Sequence, residues 1–206
     1  MEEILDLYMR PYDQEEPVVA VDETTKQLTQ EVREPLPLEP GQPERYDSHY
    51  KRNGVATIFM FFEPLAGWRH INLTEGKTRL DWAWQIRELL EVHYPRARKV
   101  HLVVDNLNTH KGSPLYEAFA PEQARRLVER LEFHYTPKHG SWLNVAEIEF
   151  SALSRQCLRD RIPDAPTLIR EIRAWESDRN HRGTKVNWRF TTTDARIKLK
   201  KLYPTY

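Results

Sequence analysis

The sequence contains a single cysteine and no long hydrophobic run, and each shortage excludes a class of protein. Cys157 stands alone among 206 residues, so no disulfide can form within the chain, and a disulfide-stabilised secreted scaffold is excluded. No uncharged stretch approaches the roughly 20 residues needed to span a bilayer. The first residues, Met-Glu-Glu-Ile-Leu-Asp, lack the basic and apolar regions of an export signal. We therefore expect a cytoplasmic protein without a membrane partner.

Neither sign of charge is in excess, because Lys and Arg together number 31 and Asp and Glu together also number 31. A formal charge of zero gives no argument for a polyanionic partner, so a nucleic-acid surface would have to come from local clusters. Glycine is scarce as well, and none follows the first apolar run, where the sequence reads Asp22-Glu-Thr-Thr-Lys. A small-molecule enzyme with a glycine-rich phosphate-binding turn is therefore disfavoured.

Apolar runs and helical periodicity predict a domain of the α/β class. Short apolar runs bounded by turn residues indicate strands, and apolar residues three or four positions apart indicate helices. The predicted strands are 17–22, 55–63, 68–73, 100–104 and 131–135, and the predicted helices are 80–92, 121–131, a stretch opening near 147, and 167–179. Helical crossovers require parallel strands while the turn at 64–67 makes a hairpin, so we expect a mixed β-sheet with helices on both faces. Residues 1–16 read as a lead-in outside the core, and 31–54 as a long irregular excursion.

Three acidic residues occupy the places where a buried carboxylate would hold a divalent metal. Asp22 ends the apolar run 18–21, Asp105 ends the run 100–104, and Glu147 follows a loop and opens a helix. Rigid strand ends position carboxylates well, and a bound cation offsets the cost of burying them. Glu149 is an alternative to Glu147, because both lie near the helix start and the helical wheel separates them only slightly.

Three segments resemble the catalytic domain of the DDE transposases of the mariner superfamily, and most closely the bacterial insertion sequence 630 group. They are Ala20-Val-Asp22-Glu23, Val103-Val-Asp105-Asn106-Leu-Asn-Thr-His110 and Thr136-Pro-Lys-His-Gly-Ser-Trp-Leu143-Asn144-Val-Ala-Glu147. The resemblance covers residues 17–180 and implies a ribonuclease-H-like fold. It also implies that the catalytic residues Asp22, Asp105 and Glu147 ligate two Mg²⁺ ions, with Mn²⁺ as a substitute. Within the Leu-Asn-x-x-Glu pattern the third carboxylate matches Glu147 rather than Glu149.

The function implied by the resemblance is metal-dependent cleavage of DNA strands at the ends of a mobile element, followed by transfer of the 3′-hydroxyl to target DNA. The expected partner is double-stranded DNA, with a homodimer assembled on it and a location at the nucleoid. The family's N-terminal helix-turn-helix has no counterpart in residues 1–16, so we expect the chain to be a catalytic half. A nuclease of the same fold and a catalytically silent DNA-binding remnant are the alternatives.

Residues around the three motifs are candidates for supporting roles. The supporting set is Glu23, Asn106, His110, His139, Asn144 and Glu149, and the candidate phosphate contacts are Lys138, Arg155, Arg159, Arg182 and Lys185. Basic side chains of this kind bind the DNA backbone without reading its sequence. A zinc site made from the histidines and Cys157 is disfavoured, because the sequence has no compact pair of ligands. The expected organisation is a lead-in at 1–16, the catalytic domain at 17–180 and a basic tail at 181–206.

Overall fold

The computed structural model describes residues 1–33, 36–37, 39–43, 45, 47–107, 110–138 and 140–203. Five strands form one sheet in the order β3-β2-β1-β4-β5. The strands are β1 (Val18–Glu31), β2 (Tyr50–Glu63), β3 (Trp68–Thr74), β4 (Val100–Val104) and β5 (Leu131–Tyr135). The α-helices are α1 (Glu2–Met9), α2 (Arg79–Glu88), α3 (Ser113–Ala118), α4 (Pro121–Glu129), α5 (Ala146–Gln156), α6 (Ala165–His181) and α7 (Thr192–Lys198). A π-helical turn at Leu89–His93 extends α2, and 3₁₀ turns lie at Ser141–Leu143 and Lys200–Leu202.

The sheet is mixed and is covered by helices on both faces, as the sequence predicted. β1 pairs antiparallel with β2 and parallel with β4, while β2–β3 is antiparallel and β4–β5 is parallel. Alternate residues of the continuous apolar run in β1 enter two separate cores, with Val18 and Ala20 on one face and Val19 and Val21 on the other. Helices α1, α5, α6 and α7 pack on the first face, and α2, α3 and α4 pack on the second.

The register between β1 and β4 places two acidic residues side by side. Val18 is opposite His101 and Ala20 is opposite Val103. Asp22 and Asp105 each lie two residues beyond the last of these pairs, so the same register brings them together at the end of β4. Because side chains two residues apart share a face, both carboxylates lie on the face that carries Ala20, Val103 and α5.

The N-terminal segment differs from the expectation for residues 1–16. Those residues were expected to lie outside the core, and that prediction is wrong, because Ile4 and Leu5 of α1 are 1% and 0% exposed. The short helix buries its apolar side against the sheet and against α7, whose Ala195 is also fully buried. The segment 181–206, expected to be a basic tail, thus contributes core residues too. The boundaries of the catalytic domain stay a prediction.

Other predicted elements differ from the structure mainly at their ends. β1 continues to Glu31 rather than stopping at Asp22, and β2 begins at Tyr50 within the predicted excursion. These extensions form a largely exposed antiparallel arm, and main-chain hydrogen bonds need no apolar side chains. Helices α3 and α7 were not predicted. No helix in the described part of the chain has both the length and the apolar character needed to cross a bilayer.

Candidate active site

Asp22 and Asp105 form the centre of the candidate site. The Asp22 carboxylate accepts a hydrogen bond from the backbone N–H of Glu23 at 2.8 Å. The pKa of Asp22 is raised to about 7, chiefly by burial and to a smaller extent by the nearby carboxylates of Glu23, Asp105 and Glu147, while the hydrogen bond from Glu23 acts in the lowering direction. Asp105 and Glu147 thus lie near enough to Asp22 for their charges to affect its ionisation.

Helix α5 carries Glu147, and Asn144 connects the start of this helix to β1. The buried Asn144 amide donates to the carbonyl of Val21 at 3.0 Å, and its side-chain oxygen accepts from the N–H of Ala146 at 3.2 Å. The N–H of Glu147 in turn donates to the carbonyl of Asn144 at 3.0 Å. Since Val21 precedes Asp22, this one side chain holds the Glu147 backbone next to the first carboxylate. That contact gives a physical reason for an asparagine three residues before the glutamate.

His110 binds two acidic residues of the site. Its Nδ1 contacts Asp105 Oδ1, and its Nε2 lies 2.9 Å from Glu23 Oε2. The ring is buried and packs against the indole of Trp82, with 4.4 Å between centroids. Burial alone would lower the pKa of His110, but the hydrogen bonds and charges of Asp105 and Glu23 raise it to about 9. The protonated imidazole thus neutralises part of the negative charge.

Glu149 lies two residues beyond Glu147 but faces away from the site. It is 2% exposed, whereas Glu147 is exposed at the surface. Glu149 Oε2 lies 3.1 Å from Arg69 Nε, and Oε1 accepts from Arg179 Nη2 at 2.7 Å. These contacts cross-link α5, β3 and α6, which is a structural role.

The remaining candidates are dispersed. Asn106 is exposed beside Asp105, and His139 lies outside the described residues. Arg182 and Lys185 flank Gly183, whose carbonyl contacts Gly67 in the β2–β3 turn. The strand register places this turn near the start of β1 and away from Asp22. All five candidate phosphate contacts are exposed: Lys138, Arg155, Arg159, Arg182 and Lys185. Their role in binding DNA stays a prediction.

The acidic site offers the kind of ligands that a hard divalent cation prefers. Its donors are carboxylate oxygens, which Mg²⁺ and Mn²⁺ prefer, and a bound cation would offset the burial and the neighbouring negative charges that raise the pKa of Asp22. The three carboxylates do not form a tight cluster, however. Among the described residues, groups of three with ligand atoms all within 4.8 Å of one another occur at His70, Glu88 and His93 and at His101, Glu132 and His134.

A family model described as DDE superfamily endonuclease matches residues 17–169. The chain belongs to this family. No curated protein sequence gives a significant match to this chain.

The fold of this DDE superfamily protein is similar to solved structures of the Mos1 transposase. A Mos1 paired-end complex with the left transposon end matches with a TM-score of 0.57 at 18% identity, covering 89% of this chain and 55% of that chain. A pre-cleavage Mos1 transpososome matches with a TM-score of 0.58 at 16% identity, covering 89% of this chain and 56% of that one. The chain thus spans about half the length of the Mos1 chains, and the likeness confirms the ribonuclease-H-like fold.

The contacts that hold the candidate site together could not be read from the sequence. The sequence indicated His110 only as a supporting residue, and it did not predict the simultaneous contacts with Glu23 and Asp105. A histidine five residues after the second carboxylate was the available signal. Trp82 lies more than 20 residues earlier in the chain, and nothing in the sequence around it predicts its contact with the His110 ring.

Proposed function

We propose that this chain is a transposase catalytic domain that cleaves DNA strands at element ends and transfers the 3′-hydroxyl to target DNA. The observation that carries the proposal is the shared register of Asp22 and Asp105 on parallel strands, with the helix of Glu147 packed on the same face. The family match and the likeness to Mos1 transposase structures support it. The finer assignment to the insertion sequence 630 group of the mariner superfamily is part of this proposal.

Asp22, Asp105 and Glu147 would hold two Mg²⁺ ions, with Mn²⁺ as a substitute. The similar solved structures include Mos1 paired-end complexes with Mg and with Mn. When bound, such ions activate the attacking hydroxyl and stabilise the leaving oxygen of an in-line displacement at phosphorus. His110 orients the Asp105 carboxylate through its Nδ1 contact, and Asn144 fixes the start of the helix that carries Glu147.

Double-stranded DNA is the proposed partner, and a homodimer assembled on DNA is the proposed active form. The similar structures are described as a paired-end complex and a transpososome. The exposed cations after α5, Arg155 and Arg159, are the proposed contacts to phosphates, together with Lys138, Arg182 and Lys185. We propose that recognition of the element ends lies outside these residues.

The test is cleavage of labelled duplex DNA in Mg²⁺ or Mn²⁺ by the parent chain and by Asp105→Asn. We expect the variant to lose at least 100-fold in rate, because an amide removes the anionic ligand while keeping the shape of the side chain. Glu129→Gln is the matched control, since Glu129 is an exposed carboxylate on α4, and it should cleave at the parent rate.

The products separate the alternatives. Joined strands in addition to cleaved ones support a transposase, and cleavage without joining indicates a nuclease of the same fold. A folded parent chain that cleaves in neither metal, on substrates carrying candidate element ends, would favour the silent DNA-binding remnant. Equal cleavage by Asp105→Asn would contradict the assignment of the site.

A further inference from the structure

A second group of potential metal ligands lies at the edge strand β3, formed by residues that the candidate active site does not use. His70 comes from β3, Glu88 is the last residue of α2, and His93 is the last residue of the π-helical turn. One ligand atom from each lies within 4.8 Å of the other two. Glu88 Oε1 lies 3.3 Å from His70 Nε2 and 3.7 Å from His93 Nε2.

Both imidazole nitrogens that face Glu88 lie within ion-pair distance of its Oε1, but neither makes a hydrogen bond to a described residue. His70 Nε2 and His93 Nε2 are shielded from solvent, and no atom in the described part of the chain meets hydrogen-bond geometry with either. Leaving a buried polar atom in this state destabilises the fold. Two such atoms aimed at one carboxylate oxygen indicate a ligand between them.

The outer atoms of the group are already held in the orientation that a metal requires. His70 Nδ1 lies 2.9 Å from Glu176 Oε1, and Arg173 Nη1 donates to Glu176 Oε2 at 2.8 Å. An Nδ1–H that donates to Glu176 leaves Nε2 as the free lone pair on His70. Glu88 Oε2 accepts from the Asn72 amide at 2.7 Å, which leaves Oε1 to face the histidines. Second-shell contacts of this kind orient ligands in known metal sites.

The π-helical turn is what brings Glu88 and His93 together. In an α-helix, residues five apart lie about 140° from each other around the axis. Hydrogen bonds from i to i+5 widen the turn, as in the bond from the Tyr94 N–H to the Leu89 carbonyl at 2.9 Å. Residue i+5 then lies near residue i, so His93 reaches the same side as Glu88. Isolated π-helical turns are rare and occur often at functional sites.

We propose that His70, Glu88 and His93 bind a divalent transition-metal ion of the Zn²⁺ type. Two imidazoles and one carboxylate suit Zn²⁺ rather than Mg²⁺, which prefers oxygen ligands alone. Ligands about 2.0–2.1 Å from a tetrahedral ion lie roughly 3.3–3.4 Å apart, and the separations of Glu88 Oε1 from His70 Nε2 and His93 Nε2, 3.3 and 3.7 Å, are close to that value. Glu88 and His93 are partly exposed, so solvent can fill the fourth position.

Such an ion would fasten the edge strand β3 of the sheet. It would join β3 to the C-terminal end of α2 and to the π-helical turn, and Glu176 would extend the connection to α6. Edge strands are the places where sheets open or pair with other chains. The site is therefore structural, and it is independent of the proposed function.

The other histidine group, His101 with Glu132 and His134, lacks the same signature. His101 Nδ1 and His134 Nε2 already lie 3.0 Å from each other in a hydrogen bond. His134 Nδ1 contacts Glu3 and His101 Nε2 contacts Arg10, so every ring nitrogen has a partner. This group provides a control rather than a second site.

The test is calorimetric titration of Zn²⁺ into the full chain in excess Mg²⁺, which occupies oxygen-only sites. We expect one Zn²⁺ per chain, and at least tenfold weaker binding in Glu88→Gln and His93→Gln. Glu88→Gln keeps an oxygen for the Asn72 amide, so it tests the ligand without removing that contact. Circular dichroism establishes that each variant is folded.

Three controls locate the ion. His101→Gln tests the other histidine group, Asp105→Asn tests the candidate active site, and His49→Gln tests an exposed histidine beside Asp47. All three should bind Zn²⁺ within twofold of the parent. Absence of Zn²⁺ binding by the folded parent, unchanged binding by both ligand variants, or loss of binding in His101→Gln or Asp105→Asn would overturn the proposal.

Discussion

At the scale of single residues, the partly buried Asp22 carboxyl group is the most informative feature of the chain, because burial and neighbouring carboxylates raise its pKa. A carboxyl group with a pKa of about 7 is still half protonated at neutral pH, whereas it ionises near 4 in the unfolded chain. Between these two values the folded chain binds more protons than the unfolded chain. The contribution of Asp22 to the free energy of unfolding therefore falls as pH rises from about 4 to about 7, unless a cation is bound.

Asp22→Asn should remove this pH dependence. The amide oxygen still accepts the hydrogen bond from the Glu23 N–H but carries no charge. With a chelator present, we expect the variant to be more stable than the parent at pH 8 by up to about 4 kcal/mol and about equally stable at pH 4. Urea denaturation at the two pH values measures the difference. A variant less stable than the parent at pH 8 would show that the ionised Asp22 carboxylate does not destabilise the fold.

At the scale of elements, α5 places two glutamates in opposite roles. Glu149 is buried between Arg69 and Arg179, while Glu147 faces the candidate site. Removing one member of a buried ion network leaves uncompensated charge, which costs about 3–5 kcal/mol. An exposed carboxylate can be neutralised at almost no cost.

Glu149→Gln should therefore lower the free energy of unfolding by about 3–5 kcal/mol. Glu147→Gln should change it by less than about 0.5 kcal/mol while abolishing metal-dependent cleavage. Denaturant titration and the cleavage assay together separate the two residues. If Glu149→Gln were stable and inactive instead, Glu149 would be the third carboxylate.

At the scale of the whole molecule, both ends of the described chain belong to the packed domain. α1 and α7 lie together on the face of the sheet that also carries α5. Arg196 of α7 pairs with Glu2 of α1 through two hydrogen bonds of 2.7 Å each. The sheet face would be open without this cover.

Leu5→Ala should consequently lower the free energy of unfolding by about 2–5 kcal/mol, as buried leucines do. Met9→Ala is the control on the same helix, because Met9 is 50% exposed, and it should cost less than about 0.5 kcal/mol. Thermal or urea denaturation compares them. Equal stabilities of the two variants would place residues 1–16 outside the cooperative unit.

The sequence by itself determined the central elements of the fold. Val100–Val104 and Leu131–Tyr135 were predicted with their observed bounds, because each is a short run ended by polar or turn residues. The spacing of apolar residues reflects which side chains are buried, so it predicted the order of strands and helices. That order in turn predicted the mixed sheet. The ends of β1 and the helix α1 were missed, since main-chain pairing and the packing of a short helix leave little local pattern.

Only the tertiary structure decided which polar side chains meet. The register of β1 and β4 places Asp22 beside Asp105, and the packing of α5 directs Glu147 and Glu149 to different sides. The same holds for the group at β3, where His70 and His93 are separated by 23 positions and meet through a π-helical turn. Contacts of this kind depend on strand register and helix packing across distant parts of the chain, and neither composition nor periodicity records them.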